Sequence, residues 1–210
     1  MNIGIIGSGN IGSGLGKLWA NKGHNIIFSY SRDPKKLDAL ADSTPNAKAG
    51  TPAEAAALSD VVLFSVRWSN VEDAVREAGP MQGKVLIDCT NPLTPDLTGL
   101  AVGHSTSAAE EIEKLVPGAF VVKAFNTVFA EVYHSNSRLF GSRRLTMFYC
   151  GDDPEAKTTV AKLIHEIGLA PVDAGSLKIA RCLEPLAMLM IQLGYKQGMG
   201  TNIGLNLIRR

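Results

Sequence analysis

Residues Gly7–Trp19 read GSGNIGSGLGKLW, with five glycines in thirteen positions. Each glycine in a helix interior costs about 1 kcal/mol relative to alanine. A helix that opens this way gives up stability for something else, and its flanks say what. Upstream, NIGIIG (2–7) is a short apolar run, β-branched at Ile3, Ile5 and Ile6, as suits a buried parallel strand. Downstream, Ile11, Leu15, Leu18 and Trp19 recur at helical spacing, Gly23 and His24 end the helix, and NIIFSY (25–30) is a second strand. Gly7, Gly9 and Gly12 therefore form G-x-G-x-x-G in strand–turn–helix–strand context, where the motif marks a dinucleotide site. Gly7 permits the tight turn, and Gly9 lets a pyrophosphate approach the backbone. Gly12 and Gly16 let the helix pack close to the sheet. Free N–H groups and the helix dipole favour the phosphate charge.

The end of the second strand selects the dinucleotide. An NAD site usually carries Asp or Glu there, for the ribose hydroxyls. Here the sequence is FSYSRDPKK, with Tyr30 and Ser31 at the expected acid position and Arg32 following. A carboxylate would repel a 2′-phosphate. A hydroxyl with a guanidinium would bind it through charge-assisted bonds. Ser31 and Arg32 are thus candidate 2′-phosphate ligands, with Lys36 a third. Asp33 and Pro34 read instead as the N-cap and first position of a helix.

Further along, VVLFSV (61–66), KVLIDCTNPL (84–93) and AFVVKAFNTVFA (119–130) are apolar strands with exit loops, separated by helical segments. Val71, Ala74, Val75 and Ala78 share one helical face, with Ser69 or Asn70 as cap. Residues 42–60 read as a connection and a short Ala-rich helix. Strands alternating with helices predict a doubly wound parallel sheet, with ligands beyond the strands' carboxyl ends. After Ser142 come a strand LTMFYCG, a helix with Ala156, Val160, Leu163, Ile164 and Ile167 on one face, and a short strand APVDAG. The expected organisation is a dinucleotide domain over 1–140 and a small C-terminal domain over 141–210. The segment Leu177–Tyr195 is apolar on nearly every side and interrupted by Pro185. It predicts coverage by a second subunit, hence a homodimer.

Composition narrows the function. Of 210 residues 45% are hydrophobic and 20% charged, and the net charge is +1, so no nucleic-acid-binding surface is expected. No apolar run reaches the roughly 18 residues of a membrane span. Cys89, Cys150 and Cys182 stand far apart without a C-x-x-C pair, and MNIGIIG lacks a basic leader, so the expectation is reduced thiols in a cytoplasmic protein. His104, His134 and His165 have no partners at metal-ligand spacing and read as non-catalytic. Arg181 and Glu184 are expected to pair with each other at i, i+3.

Six segments, GSGNIGSGL (7–15), SRDPKK (31–36), VRW (66–68), NPL (91–93), DAGSLKIARCLEPLAMLMI (173–191) and GMGTNIGLNL (198–207), resemble the F420-dependent NADP oxidoreductase family. The resemblance runs the length of the chain and is most specific in the C-terminal series. VVKAFNT (121–127) is also similar to the oxidoreductase domain of six-transmembrane epithelial metalloreductases, which pass electrons from NADPH through a flavin to iron or copper. The resemblance implies a Rossmann-type sheet with a small C-terminal α+β extension, and hydride transfer between NADP(H) and a deazaflavin, coenzyme F420. It implies that Ser8, Gly9, Asn10 and Ile11 surround the pyrophosphate and that Ser31, Arg32 and Lys36 hold the 2′-phosphate. It places Val66 and Asn70 beside the dinucleotide, and Asn91 and Ala130 near the ribose and nicotinamide. The family often has proline where Arg67 stands and histidine where Asn126 stands, so these departures fall on the acceptor side.

Arg67 reads as a solvated loop residue and Trp68 as a packed loop tryptophan. Asn126 and Thr127 either bond the nicotinamide amide or simply end a strand. Hydride transfer between two cofactors needs alignment and water exclusion rather than a nucleophile, which suits a chain without a triad or paired carboxylates. The alternatives are an NADPH-dependent flavin or ferric/cupric reductase and a non-catalytic NADP(H)-sensing protein. A β-hydroxyacid dehydrogenase is excluded, because Lys178 lacks the asparagine that should follow a catalytic lysine.

Overall fold

The computed structural model describes residues 1–208 and 210. The apolar runs become β1 (Asn2–Ile6), β2 (Asn25–Ser29), β4 (Val61–Phe64), β5 (Val85–Asp88) and β6 (Phe120–Lys123). Between them lie α1 (Asn10–Ala20), α2 (Pro34–Asp42), α3 (Pro52–Ala57), α4 (Val71–Ala78) and α5 (Ala108–Leu115), with α6 (Ala130–His134) after β6. A third strand, β3 (Ala47–Ala49), lies where the sequence suggests only a connection. It has no apolar run because it is the sheet's edge, paired on one side to β2. A small hairpin of β7 (Leu139–Phe140) and β8 (Arg143–Arg144) precedes β9 (Thr146–Gly151), α7 (Pro154–Glu166), β10 (Ala170–Asp173) and α8 (Ala180–Ile191).

One eight-stranded sheet results, in the order β10-β9-β6-β5-β4-β1-β2-β3. β1 to β6 are parallel; β9 joins β6 antiparallel, and β10 runs parallel to β9. The C-terminal residues thus extend the same sheet. The strand order reverses between β1 and β4, and open α/β sheets bind ligands beyond the strand ends at such a point.

Alternate residues of each strand feed opposite faces, so Ile5 joins one apolar core and Ile6 the other. The first core lies under α1 and α7. There Trp19 is fully buried and its indole N–H donates to Leu163 O at 3.1 Å, tying the Gly-rich helix to the C-terminal part of the chain. The second core lies under α4, α5 and α8. Asp33 caps α2 as expected, accepting from Lys36 N at 3.2 Å, with Pro34 in the first turn. No helix among the described residues is long and apolar enough to cross a membrane.

The C-terminal segment differs from expectation in two ways. Pro185 sits exposed within α8 and does not end it; burial of the opposite face holds the flanking turns. That face is Ala180, Leu183, Glu184, Ala187 and Met190, whereas Leu189 is 53% exposed. Within this chain the helix is therefore buried along one stripe.

Candidate cofactor site

The turn after β1 is clamped from both sides. Gly7 N and Ser8 N each donate to Ser29 O at 3.2 Å, and Ser8 Oγ donates to the same oxygen at 2.8 Å. From β4, Ser65 Oγ donates to Gly7 O at 2.6 Å. Gly7 has φ +104°, and a Cβ there would lie 2.6 Å from Ser65 O, so only glycine fits. A Cβ on Gly12 would lie 2.2 Å from Gly7 O, so the helix can approach the turn only without a side chain. At Gly9 a Cβ would meet nothing within 4 Å, so the turn is open to a ligand on that side.

α1 begins at Asn10 with no side-chain cap and no acid in its first turn. Its first N–H groups have no partner within the helix. Ile11 faces the core instead, packed against the first apolar cluster. Beside this helix end is a cavity of about 190 Å³ lined by Ser8, Gly9, Asn10, Ser13, Lys17, Ser31, Lys36, Leu37 and Leu40. Its polar lining is hydroxyls, one amide and two ammonium groups, without a carboxylate. This donor set fits a phosphorylated dinucleotide. The sequence motifs do not single out Lys17; it stands one helical turn beyond Ser13, and that spacing is the signal for it.

The β2 exit corrects one expectation. Tyr30 does not share the acid position with Ser31. With φ +56° it turns toward α4, where its hydroxyl donates to Asp73 at 2.9 Å. Burial, then the Asp73 bond and charge, push the phenol up to about 12, so it stays a donor at neutral pH. Ser31 alone reaches the cavity lining, while its Oγ bonds both backbone N and O of Asp33, at 3.2 and 3.1 Å. Arg32 is exposed beside it.

At the β4 exit, Val66 is buried with its side chain against Gly7. Asn70 is the residue before α4, but its side chain makes no capping bond; its Oδ1 accepts from Ser69 at 3.1 Å, and Glu72 and Asp73 occupy the helix's first turn. Arg67 is exposed and Trp68 packs, partly buried, against the second core.

The β5 and β6 exits are joined. Asn91 Nδ2 donates to Asn126 O and Asn126 Nδ2 to Asn91 Oδ1, each at 3.1 Å, and Asn126 Nδ2 also donates to Leu183 O at 3.0 Å. Phe125 precedes Asn126 with φ +65°, a left-handed conformation that costs a bulky residue energy. Its ring anchors it, edge-to-face against Trp19 (5.6 Å) and Tyr133 (6.3 Å). Asn126 Oδ1 and Thr127 Oγ1 are buried with no hydrogen-bond partner among the described residues. Ala130 opens α6 and lines a second cavity of about 310 Å³ with Asn10, Glu131, His134 and Ser135. His134 bonds Asn10 O at 2.8 Å and so belongs to the wall between the two cavities.

Behind these loops lies a charge cluster that sequence reasoning missed. Lys123 is fully buried, and its ammonium contacts Asp88 Oδ2 at 2.8 Å, Glu184 Oε1 at 2.9 Å and Thr90 O. Burial pulls its pKa down, but the two carboxylates outweigh burial and the net direction is up. Burial raises Glu184, against the pull of Lys123. Glu184 also accepts from Ala108 N and Ala109 N, at 2.9 and 3.2 Å, at the start of α5. The expected Arg181–Glu184 pair is therefore absent. Glu184 points into the core and needs buried donors, while half-exposed Arg181 forms a two-point bond to Glu110, at 2.8 and 2.6 Å.

A sheet with a reversal point, a clamped glycine turn and a carboxylate-free cavity define a dinucleotide-binding domain. Residues 2–92 match the family model described as NADP oxidoreductase coenzyme F420-dependent. The F420-dependent NADP reductase of Methanothermobacter marburgensis is 30% identical over 215 residues, covering 93% of each chain. Metalloreductase STEAP3 of Rattus norvegicus is 31% identical over 189 residues; the match takes in 90% of this chain but spans only 37% of that protein. Among solved structures, a putative F420-dependent NADP reductase from Arthrobacter sp. FB24 superposes with a TM-score of 0.88 at 27% identity, over 99% of both chains. The chain belongs to the F420-dependent NADP oxidoreductase family and is an NADP-dependent oxidoreductase.

Proposed function

We propose that this chain moves a hydride between NADP(H) and a deazaflavin- or flavin-type acceptor such as coenzyme F420. The observation that carries the cofactor half is the cavity beside α1, with Lys17, Ser31 and Lys36 in its wall and no carboxylate. The match to an F420-dependent NADP reductase over 93% of both chains supports the acceptor half. NADPH, when bound, supplies a hydride from its nicotinamide.

The chain's own residues have three tasks. Ser8, Gly9 and Asn10, with Gly7 and Gly12 shaping the turn, hold the pyrophosphate, and Ile11 offers only its backbone N–H in the first turn of α1 while its side chain packs on the core. Ser31, Arg32 and Lys36 hold the 2′-phosphate. Val66, Asn70, Asn91 and Ala130 border the rest of the dinucleotide at the strand ends. No side chain is needed as nucleophile; alignment and exclusion of water suffice. The test is NADPH oxidation with F420, FMN and ferric chelates in parallel, and F420 should be reduced fastest. A ferric chelate or FMN reduced faster would favour the second reading, a flavin or metal reductase, which the 31% identity to a metalloreductase supports. No turnover with tight NADPH binding would leave a sensor. We further take the chain to be a homodimer through α8, where Leu189 is exposed. Leu189→Asp should then lower the sedimentation coefficient, and a wild-type monomer at micromolar concentration would contradict this.

A further inference from the structure

Three charged side chains with no exposed surface stand in one cluster: Asp88, Lys123 and Glu184. An ammonium has three protons, and Lys123 has three acceptors, Asp88, Glu184 and Thr90 O. The carboxylates are equally complete. Asp88 Oδ1 accepts from Thr90 N at 2.8 Å and Thr90 Oγ1 at 2.7 Å, and Glu184 takes two N–H groups from α5. Such a cluster is weak support for stability, because apolar residues of similar volume often serve as well or better. What a fully bonded cluster does fix is geometry.

The geometry it fixes is specific. Thr90 directly precedes Asn91, Lys123 stands three residues before Asn126, and Glu184 follows Leu183, whose carbonyl receives Asn126. The Asn91–Asn126 brace is therefore tied to positions one to three residues from the cluster: Asn91 three after Asp88, Asn126 three after Lys123, and the Leu183 carbonyl beside Glu184. Beyond Asn126, Phe129 stands against Tyr195 at 5.6 Å and leads into Ala130. The brace leaves Asn126 Oδ1 and Thr127 Oγ1 without partners among the described residues.

We propose that Lys123, bound to Asp88 and Glu184, is a positioning residue. It sets Asn91 and Asn126 at the nicotinamide end of the site and has no part at the 2′-phosphate end. This rests on the NADP reading above, and the test separates the two. Purified full-length protein is titrated with 2′,5′-ADP, which lacks the nicotinamide, and with NADPH, whose nicotinamide fluorescence reports its surroundings. The variant is the neutral triple Asp88→Asn, Lys123→Met, Glu184→Gln, which leaves no unpaired buried charge. The expected result is a 2′,5′-ADP affinity within about twofold of wild type, as for a distant, independent site. NADPH should lose its affinity advantage over 2′,5′-ADP by about tenfold, the size of one charge-linked or buried polar contact, and its bound fluorescence should change. Equal weakening of both ligands, or no change in either, overturns the proposal. A wild type that fails to bind 2′,5′-ADP would instead sink the NADP reading. Should the triple variant unfold, Glu184→Gln alone, which keeps an acceptor oxygen for α5, is read by the same two titrations and the same criteria.

Discussion

The two ends of the site are built by opposite means. At the β1–β2 end, residues close in sequence make an open, polar surface: Ser8, Ser13 and Lys17 from one turn and helix, and Ser31 and Lys36 from the next. Its donors face a cavity. At the β5–β6 end, residues far apart in sequence make a closed one: Asp88, Thr90, Lys123 and Glu184 satisfy one another in the core, and Asn91 and Asn126 lock together above them. In the function proposed above, charge at the first end selects a phosphate, and at the second it holds two loops in place so that a neutral ring can be aligned. A binding end can be half-formed and still bind; an aligning end must be rigid.

The sharpest way to break this contrast is Ala130→Phe. A side chain that displaces a reacting ring by ~1 Å can cost about a hundredfold in rate. His104→Ala and His165→Ala, both exposed and in the lining of neither cavity, should stay within about tenfold. Turnover of NADPH with the best acceptor decides it, and a histidine variant that falls further than Ala130→Phe would refute alignment as the main demand.

Effects at the phosphate end should be smaller and confined to affinity. Lys36→Ala and Lys17→Ala should each weaken NADPH by about tenfold, since a bond to a charged group contributes ~1.5–3 kcal/mol, while NADH affinity and the maximal rate change little. Calorimetric titration with both nucleotides checks this. A maximal rate that falls in proportion would mean that the two ends are not separate.

The smallest effect is on acid stability. Hydrogen bonds from Arg181 hold the Glu110 carboxyl below the usual glutamate value. That stabilisation is complete above the unfolded value, near 4.5 in this case, and is lost as pH falls through the lowered folded value. Arg181→Met should therefore lower the melting temperature at pH 7 and leave it nearly unchanged once the pH is below both values. A constant difference at every pH would remove the Glu110 carboxylate from the account.

How much of this is legible in the sequence follows the same division. The glycine turn, the Asp33–Pro34 cap and the apolar faces of α4 and α7 depend on neighbours within a few residues, and reading the chain locally finds them. The edge strand β3 escapes because three residues, Ala-Lys-Ala, carry no apolar run. The sequence groups Tyr30 with Ser31 at the acid position, whereas its direction is set by a left-handed turn and by Asp73 on another helix. Helical spacing pairs Glu184 with Arg181, while its actual partners begin at Ala108, 76 residues upstream. A lone lysine in the strand AFVVKAF and a lone acid in KVLID were the available signal, since each charge in an apolar run implies a buried partner.

The central claim is that the corner after β2 selects NADP(H) by its phosphate. Wild type and Arg32→Ala should be titrated with NADPH and NADH under one buffer and salt condition. Wild type should bind NADPH at least about tenfold more tightly than NADH, and Arg32→Ala should remove most of that gap by weakening NADPH alone. Equal affinity of the wild type for the two nucleotides would contradict the account.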